Sequence, residues 1–218
     1  MSLTKRRQPI CLYRYPPSGH CHRVHTFLSM LELPHELIDV DLKKQAQKEP
    51  SYLSKNPLGQ VPMIEDGELV LSDSTAILVY LAKQYGNSQW LPDDPVGAAQ
   101  VQRFLSMASG EIAHGLHAAR RVKVFNAPLD HDAAVQTAQR ILSVLEMALE
   151  RSAFLVGTTP TIADLAVYSY VARAPEGEVS LDPFVNIRTW LARVEALPGF
   201  VPMPHARQVR LTSLEGKS

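Results

Sequence analysis

Hydrophobic and polar positions in the first part of the chain change their spacing every ten to fifteen residues. Residues 10–14 (ICLYR) form a short β-rich run that ends at Pro16-Pro17, which predicts a buried strand and a turn. Beyond it, apolar residues recur at intervals of three, one and three, which predicts a helix that begins at Ser18. Residues 35–41 (HELIDVD) alternate and predict a second strand.

The next fifty residues complete the same unit. A polar helix is predicted over 45–54, and two short strands over 61–65 and 69–71 flank Asp66-Gly67, a strong hairpin signal. A helix over 72–85 follows. A strand–helix–strand unit pairs its strands in parallel and a hairpin adds antiparallel strands, so we predict a mixed four-stranded sheet covered by helices, an α+β arrangement.

The second half of the chain carries helical patterns and no convincing pair of strands. Residues 86–95 (GNSQWLPDDP) are rich in helix breakers and indicate a linker. Beyond this linker the apolar residues keep a helical period, even across three glycines. We therefore expect an all-helical part, with helices over 96–124, 130–151, 161–171 and 185–196.

Composition and charge narrow the range of partners. The chain has 218 residues, of which 45% are hydrophobic, enough for a packed core. Lys plus Arg and Asp plus Glu both number 22, and this neutral balance argues against a nucleic-acid partner. No apolar run is long enough for a membrane span, and no apolar signal segment follows the N-terminus, so we expect neither a membrane partner nor export. Two cysteines form no disulfide framework, and a reduced, cytoplasmic protein is the simplest interpretation.

The first local signal for chemistry is Ser18, at the turn between the first strand and its helix. The N-terminus of a helix presents unpaired N–H groups and the positive end of the helix dipole. That setting favours an anion, including a thiolate held against the serine hydroxyl. The alternative, equally compatible with the sequence, is that Ser18 only caps its helix.

The second signal is Gln60-Val61-Pro62, where the third strand begins. Proline cannot donate to a sheet ladder, so it marks an edge, a bulge or a cis bond. A cis proline would turn the backbone of Val61 outward toward an extended ligand, whereas an ordinary edge-strand proline is the commoner case.

The third signal is Asp73-Ser74, at the start of the helix after the hairpin. A carboxylate and a hydroxyl at that position can hold the ammonium and the carboxylate of an α-amino acid. Both are also common capping residues, so this motif alone does not indicate function.

These motifs together resemble the thioredoxin-like half of cytosolic glutathione transferases. Residues 157–164 (GTTPTIAD) are similar to the helix-capping segment in the second half of that family, and Thr161 with Asp164 fits a capping box. The resemblance runs over nearly the whole chain and is nearest to bacterial, serine-using members of the theta and beta type. It implies a thioredoxin-like glutathione-binding domain at 1–85, a linker at 86–95, a helical domain at 96–218 that forms the electrophile pocket, and a homodimer.

The resemblance also implies roles for individual residues. Ser18 would donate a hydrogen bond to the glutathione sulfur, and Asp73 with Ser74 would hold the γ-glutamyl end. Asp73 stands where the family more often has Glu, so its reach is one methylene shorter. The remaining implied glutathione contacts are the backbone of Val61 before Pro62, Gln60, Gln47 and Lys48.

Cysteine and histidine near Ser18 allow other chemistry. Ser18-Gly19-His20-Cys21 looks like a thioredoxin-type motif whose first cysteine is serine, so disulfide exchange by the usual route is not available. Cys21 is expected to be a small buried side chain, with a mixed disulfide to glutathione as the minority alternative. Two histidine or cysteine ligands on one helix do not close a tetrahedral metal site, so we expect no metal. Candidates for the electrophile pocket are His20, His114, His117 and Arg121, with Phe200 and Met203 from the C-terminal tail. His114, His117 and Arg121 repeat every three or four residues and so share one helix face, which a cleft, a dimer interface or solvent exposure would each explain.

Three functions remain open at this point. The first is conjugation of glutathione, the co-substrate, to a small hydrophobic electrophile. The second is an isomerase, dehalogenase or peroxidase that uses glutathione on one metabolite. The third is a non-catalytic binding module of the same fold, which the presence of Ser18, Val61-Pro62 and Asp73-Ser74 argues against.

Overall fold

A computed structural model describes residues 8–206 of the chain. In this part, four strands and three α-helices precede a set of five α-helices. The elements of the first part are β1 (Ile10–Arg14), α1 (Gly19–Met30), β2 (His35–Asp39), α2 (Pro50–Leu53), β3 (Met63–Asp66), β4 (Leu69–Ser72) and α3 (Ser74–Gln84). The helices that follow are α4 (Pro95–Ser109), α5 (Ala118–Phe125), α6 (His131–Leu149), α7 (Ile162–Ala172) and α8 (Val185–Glu195).

The four strands form one sheet in the order β2-β1-β3-β4. β1 runs parallel to β2 and antiparallel to β3, and β3 forms a hairpin with β4. This confirms the predicted mixed sheet followed by helices. The hairpin register differs from the prediction, because Asp66 pairs with Leu69 inside the ladder. The two-residue loop is therefore Gly67-Glu68, and Gly67 supplies the positive φ of 61°.

Two predicted helices are interrupted. The expected helix over 45–54 is a 3₁₀ turn (Ala46–Lys48) followed by α2, because Pro50 cannot continue the turn before it and instead begins a new helix. The expected helix over 96–124 breaks at Gly110 and continues through a π-helical turn (Ala113–His117) into α5. At that turn a Cβ on Gly115 would lie 2.8 Å from the Ala138 nitrogen, so glycine permits close contact with α6.

The two parts share a continuous apolar core. α1 and α3 from the sheet side pack against α7, the most deeply buried helix, whose ten residues Ile162 to Val171 are all buried. At the start of α7, Thr161 and Asp164 form the predicted capping box. The proposed division into domains at 86–95 stays a prediction.

Residues after α8 return to the sheet side. The Val201 carbonyl accepts hydrogen bonds from His22 Nε2 (2.6 Å) and Thr26 Oγ1 (3.4 Å), both in α1. Met203 is buried, and its carbonyl accepts from Arg173. This segment is thus docked as far as Ala206, whereas the rest of the tail, 207–218, lies outside the described residues. No helix among residues 8–206 combines the length and the apolar character needed to cross a bilayer.

Candidate active site

Ser18 caps α1 in an extended conformation with φ −81° and ψ 123°. Its Oγ accepts a hydrogen bond from the Cys21 backbone N–H at 3.4 Å, and the side chain is partly exposed. Because the Cys21 N–H occupies an acceptor position of the oxygen, the hydroxyl hydrogen is left for a different acceptor. The arrangement can therefore cap the helix and donate outward at the same time.

The loop before β3 is held in place through the carbonyl of Gln60. Tyr52 Oη donates to this carbonyl at 2.7 Å and Asn56 Nδ2 at 2.8 Å. The following Val61-Pro62 peptide bond is cis. Since β3 lies between β1 and β4, an edge-strand explanation for Pro62 is wrong. Among residues 8–206 the Val61 backbone makes no hydrogen bond, so its N–H and C=O are able to pair with an extended peptide.

Gln47 and Lys48 lie beside this loop, on the 3₁₀ turn. Lys48 Nζ donates to the Leu58 carbonyl at 3.1 Å, and the Gln47 side-chain oxygen is buried with no partner in this part of the structure. Gly59, at φ 56°, lets the two segments approach, because a Cβ there would lie 2.7 Å from the Gln47 carbonyl oxygen. Both residues thus border the segment that leads to Val61.

Asp73 and Ser74 both lie at the N-terminus of α3, and their side chains make different contacts. Asp73 Oδ1 accepts from the backbone N–H groups of Thr75 and Ala76, each at 2.9 Å. Burial raises the pKa of Asp73, but these hydrogen bonds and the charge of Arg23 outweigh it and leave the pKa below its ordinary value. Ser74 is buried, and its Oγ lies 3.2 Å from His20 Nδ1.

His20 connects the Ser74 hydroxyl to an aromatic cluster between the two parts of the chain. Its ring centroid is 5.1 Å from that of Tyr170 and 5.3 Å from that of His117, and His117 stacks on Tyr170 at 4.3 Å. Burial, followed by the charge of Arg23, lowers the pKa of His20 well below its usual value. Burial, followed by Arg121, lowers the pKa of His117 to about 3. Both imidazoles are therefore neutral at pH 7.

The other candidates for the electrophile pocket are distributed differently. His114 and Arg121 are exposed, because the π-helical turn changes the angular relation between residues on either side of it. Phe200 packs on the rings of Tyr168 (5.2 Å) and His22 (6.0 Å), and Met203 is buried. The structure brings together His20 and His117 only.

Comparison with known proteins supplies the assignment. Residues 8–83 match the model of the glutathione S-transferase N-terminal domain, and residues 121–198 match that of the glutathione S-transferase C-terminal domain. Glutathione S-transferase 3 of Zea mays is 33% identical, with 90% of this chain and 96% of the relative covered. The chain belongs to the glutathione S-transferase family.

Solved structures agree with this assignment. A glutathione S-transferase from Pseudomonas fluorescens superposes with a TM-score of 0.86 at 29% identity, covering 91% of this chain and all of the other. A glutathione transferase homologue from Drosophila mojavensis, solved with bound glutathione, has a TM-score of 0.82 at 26% identity and covers 96% of this chain and 97% of its own. The family is thus supported by both sequence and fold.

Cys21 of this glutathione S-transferase is buried directly behind Ser18. Its sulfur accepts from the Tyr15 N–H at 3.3 Å, and burial raises the pKa of the thiol to about 11. A thiol with that pKa carries almost no thiolate at pH 7, which argues against a mixed disulfide with glutathione in this state. Among the described residues, no three His, Cys, Asp or Glu side chains are grouped so that they could hold a metal ion.

Three residues of the site were not among the sequence candidates. Tyr170 forms the centre of the aromatic cluster, Arg23 donates to Ser74 Oγ at 3.3 Å, and Arg120 donates to the Pro17 carbonyl at 2.9 Å. All three are buried. Tyr170 lies in an apolar helix, but no residue near Arg23 or Arg120 in the sequence indicates that either arginine is buried.

Proposed function

We propose that this glutathione S-transferase activates the glutathione thiol through the hydroxyl of Ser18 and adds the sulfur to a small hydrophobic electrophile. The observation that carries the proposal is the geometry of Ser18, whose oxygen accepts from the Cys21 N–H, so that its hydroxyl hydrogen can be donated to a bound thiolate. The serine lies at the N-terminus of α1, where the helix dipole favours a negative charge.

Backbone groups and side chains around Ser18 would make the remaining contacts with glutathione. The Val61 N–H and C=O would pair with the cysteinyl peptide, which places the sulfur toward Ser18. Ser74 and Asp73 at the start of α3 would hold the carboxylate and the ammonium of the γ-glutamyl residue. Gln47, Lys48 and the side chain of Gln60 would contact the remainder of the tripeptide, including its glycine carboxylate.

The free energy required is modest. A free thiol has a pKa of ~8.5, so lowering it by ~2 units requires about 2.7 kcal/mol of preferential thiolate stabilisation. One hydrogen bond to a charged acceptor contributes ~1.5–3 kcal/mol. A helix N-terminus adds ~0.3–1 kcal/mol. Ser18 on α1 therefore suffices without a metal ion or a general base.

The reaction then proceeds by nucleophilic attack. The thiol proton passes to solvent, and the thiolate held by Ser18 forms a carbon–sulfur bond with the electrophile. The electrophilic carbon either expels a leaving group with its bonding electron pair or, after addition, the product gains a proton. The neutral rings of His20 and His117 beside Tyr170 offer an apolar wall for the electrophile, with exposed His114 and Arg121 further along the chain.

The neighbouring glutathione-dependent activities use the same site and differ in the product. An isomerase would return glutathione unchanged, a dehalogenase would release halide, and a peroxidase would form glutathione disulfide. Product analysis with one substrate of each kind separates these from conjugation.

The assembly and surroundings of the enzyme are also part of the proposal. We expect a homodimer in the cytoplasm, with neither nucleic acid nor membrane as a partner. Exposed apolar side chains support self-association, notably Met147 at 62% and Val144 at 36%, which line a cavity of about 560 Å³ between α4 and α6. Sedimentation equilibrium would give twice the chain mass for a dimer.

The experiment that tests the Ser18 proposal is an ultraviolet titration of glutathione bound to the wild type and to Ser18→Ala. We expect the bound thiol to have a pKa well below the free value in the wild type and near the free value in the variant. Ser143→Ala is the matched control, because Ser143 Oγ is exposed on α6 and donates only to the Gln139 carbonyl. Binding with an unshifted pKa in the wild type would contradict the mechanism, and absence of binding would contradict the function.

A further inference from the structure

Arg23 is a buried cation without a bound carboxylate. Its side chain lies on the second turn of α1 and is 1% exposed. Among the described residues it forms no ion pair within 4 Å, and its Nε and one terminal nitrogen have no hydrogen-bond partner. Burial lowers the pKa of Arg23 to about 10, so the guanidinium keeps its charge at pH 7. Since a buried charge is costly when it is uncompensated, this arrangement calls for a nearby anion.

Within residues 8–206, the side chain of Arg23 forms one hydrogen bond, and this bond leads to the proposed glutathione site. Its Nη1 donates to Ser74 Oγ at 3.3 Å, and Ser74 is the first residue of α3. The guanidinium therefore adds a full positive charge to the positive end of that helix. The charge of Asp73 acts on Arg23 from a distance, but the two side chains form no ion pair within 4 Å, and the Asp73 carboxylate instead accepts from the N–H groups of Thr75 and Ala76.

The contact with Arg23 also limits the hydrogen bonds that the Ser74 hydroxyl can form. An oxygen that accepts from Arg23 turns its own hydrogen toward another acceptor. His20 Nδ1, at 3.2 Å, is that acceptor when the neutral imidazole carries its hydrogen on Nε2. A carboxylate bound at α3 is a stronger acceptor than a neutral imidazole and would take this hydrogen instead.

We propose that Arg23 is a positioning residue for the γ-glutamyl α-carboxylate of glutathione, on which it acts indirectly, by orienting the Ser74 hydroxyl and by adding a buried positive charge behind it. The inference rests on the proposed glutathione site and extends it to a residue that does not touch the ligand. Its side-chain hydrogen bond leads to Ser74 at α3, so we expect the effect at the carboxylate and not at the sulfur near Ser18.

The test compares glutathione with an analogue in which 4-aminobutanoate replaces the γ-glutamyl residue, since this analogue lacks only the α-carboxylate. Dissociation constants are measured by calorimetry for the wild type, Arg23→Met and Arg23→Lys. We expect the wild type to prefer glutathione, and Arg23→Met to lose about 10- to 100-fold of that preference, the range of a charge-assisted contact. Arg23→Lys should recover part of it, because it restores the charge. In Arg23→Met the KM for glutathione should rise while kcat and the bound thiol pKa stay unchanged.

Arg120→Met is the matched control. Arg120 is equally buried at 1%, but it is paired with Glu176 and does not contact Ser74. Its replacement should change the affinities for glutathione and for the analogue by the same factor. If Arg23→Met also weakens both ligands equally, or weakens neither, the inference is wrong although the proposed function stands. If the wild type binds no glutathione, both are wrong.

A second measurement covers the case in which Arg23→Met does not fold. In the wild type, the ¹H–¹⁵N resonance of Arg23 Nε, assigned with Arg23→Lys, should shift when glutathione saturates the site. The analogue should leave it in place. A resonance that moves equally with both ligands, or with neither, would overturn the role of Arg23.

Discussion

The contact between Arg120 and the Pro17 carbonyl joins the helical part of the molecule to the residue before Ser18. Arg120 extends from α5, and its Nε forms an ion pair with Glu176 at 2.7 Å. The same carboxylate contacts the docked tail, at His205 Nδ1 (3.3 Å) and the Ala206 N–H (3.3 Å). We predict that Arg120→Met destabilises the fold and also raises the pKa of glutathione bound at Ser18.

The magnitude follows from what the substitution leaves unpaired. Removal of one partner from a buried ion pair costs ~3–5 kcal/mol. The Glu176 side chain is 15% exposed and keeps its tail contacts, which reduces that part to about 2 kcal/mol. A buried carbonyl left without its donor, here that of Pro17, adds ~1–3 kcal/mol. Together these give a loss of roughly 3–5 kcal/mol in the free energy of unfolding.

Urea unfolding measures this loss, and a double-mutant cycle with Glu176→Gln isolates the ion pair. Burial raises the pKa of Glu176, but Arg120 outweighs it and holds the net pKa below the ordinary value. The unfolded chain therefore binds the proton more tightly, so the stabilisation is complete above ~pH 5 and is lost as the pH falls through the folded-state pKa. Arg120→Met should remove this acid-dependent part. A loss under ~1 kcal/mol, or an unchanged acid profile, would refute the reasoning.

Two further predictions concern buried groups in α7 and α1. Asp164 is fully buried and accepts hydrogen bonds of 2.9 Å from the N–H groups of Leu155, Thr161 and the Trp190 indole. Asp164→Ala should therefore lower the free energy of unfolding, measured in urea, by roughly 3–5 kcal/mol. A loss near zero would contradict this prediction. Burial lowers the pKa of His22 to about 4, so only the unfolded chain binds a proton as the pH falls from ~6.5 toward 4. Stability should therefore be about 1–2 kcal/mol lower at pH 5 than at pH 7 on account of this residue, and His22→Gln should lose less on acidification than the wild type.

Local sequence signals were sufficient for most of the fold. β1 occupies the predicted residues 10–14, and Ser18 caps the helix that it precedes. Such signals succeed because strand patterns and caps depend on residues within one or two turns of the chain. The errors in the predicted helices lie at proline and glycine residues, where a helix either continues or is interrupted. Pro50 divided a predicted helix by starting a new one, and Gly110 with Gly115 divided another because α6 packs closely against that turn.

The candidate site shows the same difference between residues that local signals place and residues whose position depends on the packing of distant segments. Ser18, Val61-Pro62 and Asp73-Ser74 lie at the ends of elements, so their positions could be read from the order of elements. The helical spacing of His114, His117 and Arg121 assumes a regular α-helix, whereas the π-helical turn alters that spacing and leaves His114 and Arg121 exposed.

The burial of Arg23 and Arg120 could not be predicted from the sequence. An arginine in a helix is ordinarily exposed, and nothing within four residues of Arg23 or Arg120 marks either as buried. Their partners are distant in the chain, since Ser74 is 51 residues from Arg23 and Pro17 is 103 residues from Arg120. The two contacts lie at the N-termini of α1 and α3, at which we place the sulfur and the γ-glutamyl end of glutathione. A charge held in the interior costs free energy unless it is compensated. Arg120 is compensated by Glu176, whereas Arg23 forms no ion pair among residues 8–206, so the charge of Arg23 favours binding of an anionic ligand at the N-terminus of α3.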